Sequence, residues 1–336
     1  MISASVGSVR VIDPSFLKMT ARNERPLQYQ ESGFFNKPLL DDPVLQNISK
    51  TKAANIYASD LIISILMTCT DSVYPWDIVV EKKDSQLFLS KREGSKIDFY
   101  SVGENELEPP SNDKESINSA NALSREATMI NQFLSRQIVT DEVVDITKNK
   151  EFVPSGYDIG NPCRAYTYRK FKLSDSMDMI VRCDIDAAIQ SKKGDKKLTI
   201  VNALNEYDLS KTSWRSKLDT QPGAVFATEL KANLSKLQKW YAKTILSGIP
   251  QFTLGYVSRQ PSNHAKHAIL KVVSYKPDEF GTHINASSKN MWGKVVALCN
   301  LLMQQEDGKY ILMKEPNDVS IFNNNNNLKL LIFYFS

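Results

Sequence analysis

The most chemically suggestive residues are two short acidic motifs, Asp184-Ile-Asp186 and Glu229-Leu-Lys231. Alternation along a strand points both aspartates of an Asp-x-Asp motif to one face, where two carboxylates can bind a hard cation such as magnesium. A Glu-x-Lys motif on a neighbouring strand would add a ligand and a cation that orients an attacking water, as in metal-dependent nucleases. Apolar periodicity over 224–247, however, predicts a helix, on which residues two apart do not face one another. The pattern therefore argues against an assembled metal site.

Other enzyme signatures are absent from the sequence. It contains no G-x-x-x-x-G-K phosphate loop, no H-E-x-x-H and no G-x-S-x-G. The three histidines, His264, His267 and His283, have no carboxylate or cysteine partner at a metal-ligand spacing, so we expect solvated or structural roles. We predict a protein that is not an enzyme and that needs no cofactor or metal.

Two segments place aromatic side chains near basic ones, a combination that holds single-stranded bases by stacking and edge hydrogen bonds. In the first, Tyr74 and Trp76 flank a proline at a predicted helix-to-strand junction. Trp76 is the better candidate for the core, and Tyr74 for a base platform. The second is a predicted strand whose alternation puts four side chains on one face: Arg164, Tyr166, Tyr168 and Lys170.

Composition indicates a folded, soluble protein, since 42% of the 336 residues are hydrophobic and 24% are charged. Lys and Arg number 42 against 38 Asp and Glu, so any nucleic-acid site must be local. The four cysteines stand far apart, without a C-x-x-C motif or a dense disulfide framework. The apolar runs are shorter than the ~20 residues of a membrane helix, and the N-terminus lacks a signal-peptide core. We expect a cytoplasmic protein that does not enter a membrane.

Hydrophobic periodicity predicts a mixed α/β (α+β) fold, with central β-sheets flanked by helices. The predicted helices begin at Ser59 or cover 116–137, 224–247 and 286–305. The predicted strands are 76–80, 86–89, 165–173, 177–189, 198–207, 252–259, 268–275, 310–314 and 328–333.

Prolines and polar residues dominate the first part of the chain, which predicts an extended N-terminal arm over 1–50, packed on the rest. We expect 51–336 to form a single domain. Within it, 208–223 is a polar connection, and the asparagine run 323–327 predicts a solvated loop.

Several long and uncommon strings resemble the d-subunit family of eukaryotic translation initiation factor 3. The strings are 66–80, 125–131, 180–184, 204–208, 214–221, 223–231 and 254–259. The resemblance runs from about Arg22 to Pro316. It implies a decapping-exoribonuclease-like scaffold that recognises the 7-methylguanosine cap of selected mRNAs without cleaving it. The partners that it implies are capped mRNA, the other subunits of the factor and, through that complex, the small ribosomal subunit.

The resemblance also implies a degenerate metal site. The exoribonuclease relatives use Glu-x-Asp on one strand and Glu-x-Lys on the next, which correspond to Asp184-Ile-Asp186 and Ile200-Val-Asn202. The second pair has lost its carboxylate and its lysine, and Lys243 stands where those relatives carry glutamine. Two hard cations need more oxygen ligands than remain, so hydrolysis is not expected.

The family's cap contacts, carried across residue by residue, fall on six positions: Asp60, Val73, Tyr74, Thr128, Asn131 and Gln132. Tyr74 can stack on the positively charged methylated guanine by cation–π attraction, and Asp60 can accept hydrogen bonds from its Watson–Crick edge. An equally open interpretation of Asp60 is an acid favoured by the dipole at a helix N-terminus. Gln132 departs from the family pattern, in which many relatives have histidine.

The connection 208–223, with Trp214, Arg215 and Gln221, corresponds to an insertion called the RNA gate, thought to occlude the RNA path. A closed majority state would divide the apparent affinity for cap by the open fraction. Two other functions stay open. One is a metal-dependent 5′-end nuclease or decapping enzyme, and the other is a protein-interaction scaffold that makes no RNA contact.

Overall fold

The computed structural model describes residues 2–29, 39–111, 113–157, 165–209, 213–315, 319–323 and 328–329. Within these ranges the chain forms a 15-stranded mixed sheet and α-helices on both of its faces. The strands are β1 (Ile2–Ile12), β2 (Arg25–Pro26), β3 (Ile56–Ser59), β4 (Trp76–Lys83), β5 (Gln86–Ser90), β6 (Val139–Asp145), β7 (Ala165–Lys172), β8 (Asp178–Ile185), β9 (Ala187–Gln190), β10 (Lys196–Glu206), β11 (Gln251–Gln260), β12 (Asn263–Tyr275), β13 (Gly308–Lys314), β14 (Val319–Asn323) and β15 (Leu328–Lys329). The helices are α1 (Pro43–Lys50), α2 (Asp60–Met67), α3 (Ala120–Gln137), α4 (Trp214–Lys217), α5 (Pro222–Ala232), α6 (Leu234–Ser247), α7 (Pro277–His283) and α8 (Ser288–Met303).

The strand β1 joins the two halves of the sheet. The strand order is β15-β14-β13-β4-β5-β3-β8-β7-β1-β9-β10-β11-β12-β2, and β6 also pairs with β1. Ile2 to Gly7 pairs with β7, and the strand then pairs with β6 from Ser8 and with β9 at Arg10. The backbone of Gly7 has φ +99° at this change of partner, a conformation that glycine adopts without steric cost.

The helix α2 lies at the centre of one face of the sheet. The side chain of its N-cap, Ser59, accepts a hydrogen bond from Ile62 N (3.4 Å), as the Ser-Asp sequence predicts. The helix is buried on almost every side because it packs against β8, α6 and α8. Leu66 belongs with Trp240 and Val295 to the largest core cluster.

The helix α3 covers the opposite face. Leu204 of β10 joins the α2 cluster, whereas its neighbour Ala203 packs with Ile130 and Leu134 of α3. Successive residues of a strand point to opposite faces, so β10 contributes to both layers. This strand is therefore positioned to carry side chains to either side.

The expectation of an extended arm of short turns over residues 1–50 does not match the secondary structure. Residues 2–12 form a long strand inside the sheet, and residues 43–50 form α1. Apolar residues alternate from Ile2 to Val6 and again from Val9 to Val11, but Gly7 and Ser8 shift the phase between the two runs, which hides the strand from a pattern search. Asp42 caps α1 by accepting hydrogen bonds from Val44 N and Leu45 N. A division of the chain into domains at residue 50 stays a prediction.

The single helix predicted over 224–247 is wrong, because α5 and α6 are separated at Asn233 (φ −131°, ψ 30°). The side chain of Asn233 accepts a hydrogen bond from Gly103 N (3.0 Å) and donates one to Glu229 Oε2 (3.0 Å). At the break between α5 and α6, the loop that contains Gly103 packs against Asn233. Hydrophobic periodicity does not predict this contact. Periodicity also does not predict helix α7 or strand β14, whereas Glu229 and Lys231 lie on a helix, as expected.

The strand β7 does not offer the predicted nucleic-acid face. Tyr166 and Tyr168 are buried in a core cluster, and the hydroxyl of Tyr168 donates to Asp42 Oδ2 (2.7 Å). Sheet alternation alone cannot distinguish a covered face from an exposed one. Trp76 is in the core, and the ring nitrogen Nε2 of buried His267 is hydrogen-bonded to Glu126 Oε1 (2.7 Å), so both have the expected structural roles.

Some predicted features lie outside the described residues: Arg164, Cys163, residues 324–327 of the asparagine run and the strand predicted beyond Lys329. The other three cysteines are free and buried. None of the described helices is both long and apolar enough to cross a membrane.

Candidate functional site

The Asp-x-Asp motif lies at the end of β8, beside the N-terminus of α2. Asp60, the first residue of α2, is only 1% exposed and accepts a hydrogen bond from Asp184 N (3.2 Å). Asp186 accepts one from Val201 N (2.8 Å) on β10. Burial raises the pKa of Asp60 to about 6, opposed by the charge of Lys243 and reinforced by that of Asp184. The position of Asp60 fits the helix N-terminal interpretation, and its cap contact stays a prediction.

Lys243 of α6 supplies the positive charge of this group. Burial lowers its pKa, but the carboxylates of Asp60, Asp184 and Asp186 outweigh burial and hold the pKa well above its usual value. Lys243 is therefore an ammonium at neutral pH. Its charge balances part of the negative charge of Asp60, Asp184 and Asp186, a role that a divalent cation plays in a metal site.

The donor set does not fit a divalent cation. Asn202 stands on β10 near the aspartates, but its Nδ2 donates to Tyr100 Oη (3.1 Å) and to Asn131 Oδ1 (3.2 Å). Glu229 lies on α5, where it accepts its hydrogen bond from Asn233 rather than joining the aspartates. Among the described residues, no three His, Cys, Asp or Glu side chains are grouped to hold a metal.

Val73 and Tyr74 lie in the loop between α2 and β4, and one buried carboxylate holds that loop. Glu104 is 2% exposed, and its Oε1 accepts hydrogen bonds from the hydroxyl of Ser72, Val73 N (2.9 Å) and Tyr74 N (3.5 Å). Val73 is 50% exposed and Tyr74 is half-buried. The buried carboxylate therefore fixes the backbone of the predicted cap residues Val73 and Tyr74.

The other oxygen of Glu104 extends the same network to α6. Its Oε2 accepts hydrogen bonds from the hydroxyls of Ser101 (2.6 Å) and Ser235 (2.7 Å). Burial raises the pKa of Glu104. The charge of Lys239 and the hydrogen bonds from the serine hydroxyls lower it by more, so the net pKa lies below its ordinary value. No sequence pattern marks Glu104, because all of its partners except Ser101 are distant in the chain.

The three predicted positions on α3 do not present equivalent groups. Thr128 Oγ1 accepts a hydrogen bond from Tyr100 N (3.0 Å) and donates one to Ser124 O (2.7 Å). Asn131 is 5% exposed and binds the backbone of Ala203 through both ends of its amide (2.8 and 3.1 Å). Gln132 is half-buried. In this conformation Thr128 and Asn131 hold α3 to its neighbours.

Tyr100 and Ser101 connect the two predicted groups. Tyr100 contacts Thr128 and Asn202 as described above, and its ring packs edge-on against Trp240 (5.7 Å between centroids). The adjacent Ser101 reaches Glu104, which holds the Tyr74 loop. The segment 100–104 thus runs between the aspartate–lysine group and the Tyr74 loop, although nothing in its sequence marks it.

A cleft of about 230 Å³ opens beside Tyr74. Its walls come from α2, the α2–β4 loop, the 91–119 loop, α3 and α6. The aromatic and polar residues that line it are Tyr74, Trp76, Phe99, Ser72, Lys96, Ser101, Asn121, Ser124 and Lys239. None of the described residues that line it is an acid. The cleft can therefore take a ligand with a flat ring and negative charge.

The gate-like insertion is docked on the ends of β10 and β11. Trp214 is buried, its backbone N–H donates to Glu206 Oε1 (2.8 Å), and its ring packs edge-on against Tyr256. Arg215 donates to Glu24 Oε2 (2.7 Å) and to Ser258 Oγ (2.8 Å). Gln221 is the N-cap of α5.

Solved structures with a similar fold come from yeasts. Rai1 of Scheffersomyces stipitis, in complex with (3′-NADP)+ and calcium ion, matches with a TM-score of 0.57 and 15% identity, over 95% of this chain and 83% of that one. Dxo1 of K. lactis, in complex with manganese, matches with a TM-score of 0.52 and 12% identity, over 98% and 91%. These matches confirm the predicted scaffold.

Sequence similarity identifies the family. Residues 3–322 match the family described as Eukaryotic translation initiation factor 3 subunit 7 (eIF-3). The D-2 form of the factor's d subunit in Drosophila simulans is 40% identical over 322 residues, which cover 94% of this chain and 58% of that protein. The d subunit of Nasonia vitripennis is 39% identical over 317 residues, which cover 93% and 57%. The chain thus spans little more than half the length of these relatives, and it belongs to the d-subunit family of eukaryotic translation initiation factor 3.

Proposed function

We propose that the chain is the mRNA 5′-cap-binding component of eukaryotic translation initiation factor 3 and supports cap-dependent initiation on selected mRNAs in the cytoplasm. Its partners under this proposal are capped mRNA, the other subunits of the factor and, through the complex, the small ribosomal subunit. The observation that carries the proposal is the placement of Tyr74 at a cleft with aromatic walls, two lysines and no acid among its described lining residues.

The chemistry of this cleft suits a methylated guanine nucleotide. The methylated base carries a positive charge, which an aromatic face attracts by about 0.5–2 kcal/mol according to its desolvation. The phosphates carry negative charge, which suits Lys96 and Lys239. Tyr74 can supply the ring because Glu104 holds its loop. Of the six predicted cap positions only Tyr74 lines this cleft. Asp60, Thr128 and Asn131 are buried and hydrogen-bonded within the fold, so their contact with the base, like that of Val73 and Gln132, stays a prediction.

We propose further that the chain does not cleave the RNA that it binds. Hydrolysis by a two-metal mechanism needs oxygen ligands for both ions and room for them. The Lys243 ammonium instead balances part of the charge of the aspartates, and the amide nitrogen of Asn202 donates to Tyr100 and Asn131. Under the same proposal, 208–223 acts as a gate that covers the RNA path until the factor assembles.

The test is crosslinking of the chain to RNA labelled at its cap, competed with 7-methylguanosine cap analogue and with unmethylated guanosine cap. We expect competition by the methylated analogue, loss of labelling in Tyr74→Ala and retained labelling in Tyr74→Phe, which keeps the ring. Labelling indifferent to cap analogue would favour the interaction-scaffold alternative.

The same RNA tests the nuclease alternative. Incubation with magnesium or manganese should release neither cap nor mononucleotides. Release that Asp186→Asn abolishes would overturn the proposal that the chain only binds.

A further inference from the structure

The charge in the Tyr74 cleft comes from two lysines on different walls. Lys96 lies in the 91–119 loop, and its Nζ donates to Asn121 Oδ1 (3.2 Å) in the first turn of α3. Lys239 comes from α6 and makes no hydrogen bond or ion pair with any other described residue. One ammonium of the cleft is therefore uncommitted.

The surroundings of Lys239 are rich in positive charge. Burial lowers the pKa of Lys236 to about 8; the charges of Glu229 and Glu104 oppose this shift, and the charge of Lys239 adds to it. Burial likewise lowers the pKa of Lys314, again with a contribution from Lys239. The carboxylate of Glu104 offsets part of this positive charge, since Lys239 lowers its pKa, although both of its oxygens already accept hydrogen bonds. An anion that binds near Lys239 would meet the attraction of the remaining positive charge.

Two further features of the cleft favour an anion that accepts hydrogen bonds. Trp76 is 9% exposed, and its Nε1 is buried without a hydrogen-bond partner among the described residues. The first turn of α3, an 18-residue helix, contributes Ala120 and Asn121 to the lining. The helix dipole places partial positive charge at this end, although Ala120 N already donates to Ser111 O (2.9 Å) and Ala122 N to Ser119 Oγ (3.3 Å). These features are independent of the two lysines.

We propose that Lys239 and Lys96 form a phosphate subsite of this cleft, which takes the polyphosphate chain of a nucleotide whose base stacks on Tyr74. The inference rests on the proposed function for the identity of the base, whereas the phosphates are recognised by charge alone. Tyr74 then selects the base and Lys239 supplies most of the phosphate affinity. The volume of the cleft, about 230 Å³, lies below the ~300–1,000 Å³ of common ligand pockets. The cleft is therefore suited to the terminal nucleotide of an RNA and not to a longer segment.

The test measures binding of three probes to the 336-residue chain by calorimetry: 7-methylguanosine triphosphate, 7-methylguanosine and inorganic tripolyphosphate. In Lys239→Met we expect the affinity for both triphosphate probes to fall about 10- to 100-fold, the effect of one charge-assisted contact. Affinity for the nucleoside should stay the same. Lys239→Arg should retain most of the affinity for phosphate, and Lys96→Met should lose less because Lys96 is exposed and bonded to Asn121.

Lys193→Met is the matched control, since it removes the same charge from the exposed turn between β9 and β10. Equal losses for nucleoside and triphosphate in Lys239→Met, or no loss for either, would overturn the subsite even where Tyr74→Ala abolishes binding and cap recognition stands. Equal binding of 7-methylguanosine triphosphate and inorganic tripolyphosphate, lost in Lys239→Met, would support the subsite and overturn recognition of the base. Failure of wild-type protein to bind any phosphate probe would overturn the subsite.

Discussion

Replacement of Glu104 by leucine should destabilise the protein by about 3–5 kcal/mol. The buried carboxylate accepts hydrogen bonds from Val73 N, Tyr74 N and the hydroxyls of three serines. Leucine has no acceptor, and each buried donor left unpaired costs about 1–3 kcal/mol. The serine hydroxyls can rotate toward other acceptors, and water can reach the half-exposed Val73. The loss of unfolding free energy is therefore well below the full cost of five unpaired donors.

Glu104→Gln should lower the free energy of unfolding by less, about 1–2 kcal/mol, and this loss should depend on pH. The amide oxygen still accepts from the two backbone N–H groups, and the serine hydroxyls can rotate to accept from the amide nitrogen. The net pKa of Glu104 lies below its ordinary value of 4.5, so the charged form stabilises the fold above that value. This contribution is lost as the pH falls through the lowered pKa. The difference between wild type and Glu104→Gln should therefore shrink as the pH falls below the ordinary value of 4.5 and through the lowered pKa.

Urea unfolding of both variants at pH 7 and across the acid range measures these free energies. Glu108→Leu, an exposed change in the same loop, is the control and should lie within about 0.5 kcal/mol of wild type. A loss below about 1 kcal/mol for Glu104→Leu would refute the idea that this carboxylate holds the Tyr74 loop. Faster hydrogen exchange at residues 72–74 in that variant would locate the effect.

Two further predictions concern the aspartate–lysine group and the gate. Lys243→Met should destabilise the protein by about 2–4 kcal/mol in urea unfolding, since it leaves the neighbouring carboxylates without their cation; a value within about 0.5 kcal/mol of wild type would contradict the role of Lys243 as counter-charge. Arg215→Met should lower the free energy of unfolding by about 1 kcal/mol and make limited proteolysis within 208–223 faster, because it removes the bonds to Glu24 and Ser258. Replacement of the exposed Lys217 by methionine in the same helix should change neither the stability nor the rate of proteolysis.

Local patterns are sufficient where a segment's own residues decide its structure. The Ser59 N-cap, the β4–β5 hairpin and the helix that carries Glu229 all follow from periodicity and capping, which depend on neighbours in the chain. The absence of the second carboxylate motif at Asn202 is likewise visible in the sequence. These elements are predictable because no distant partner is needed to define them.

Distant contacts decide the rest. Residue types and their local order are enough to establish the family and the mixed α/β class, whereas the correspondence of Asn202 and Lys243 to degenerate metal-site positions stays a prediction. The position of β1 inside the sheet and the burial of Tyr166 become visible in the folded chain alone. The same holds for the role of Glu104 in the Tyr74 loop, since its partners are up to 131 positions away. Burial and hydrogen-bond satisfaction depend on what packs against a residue, and a single sequence does not contain that information.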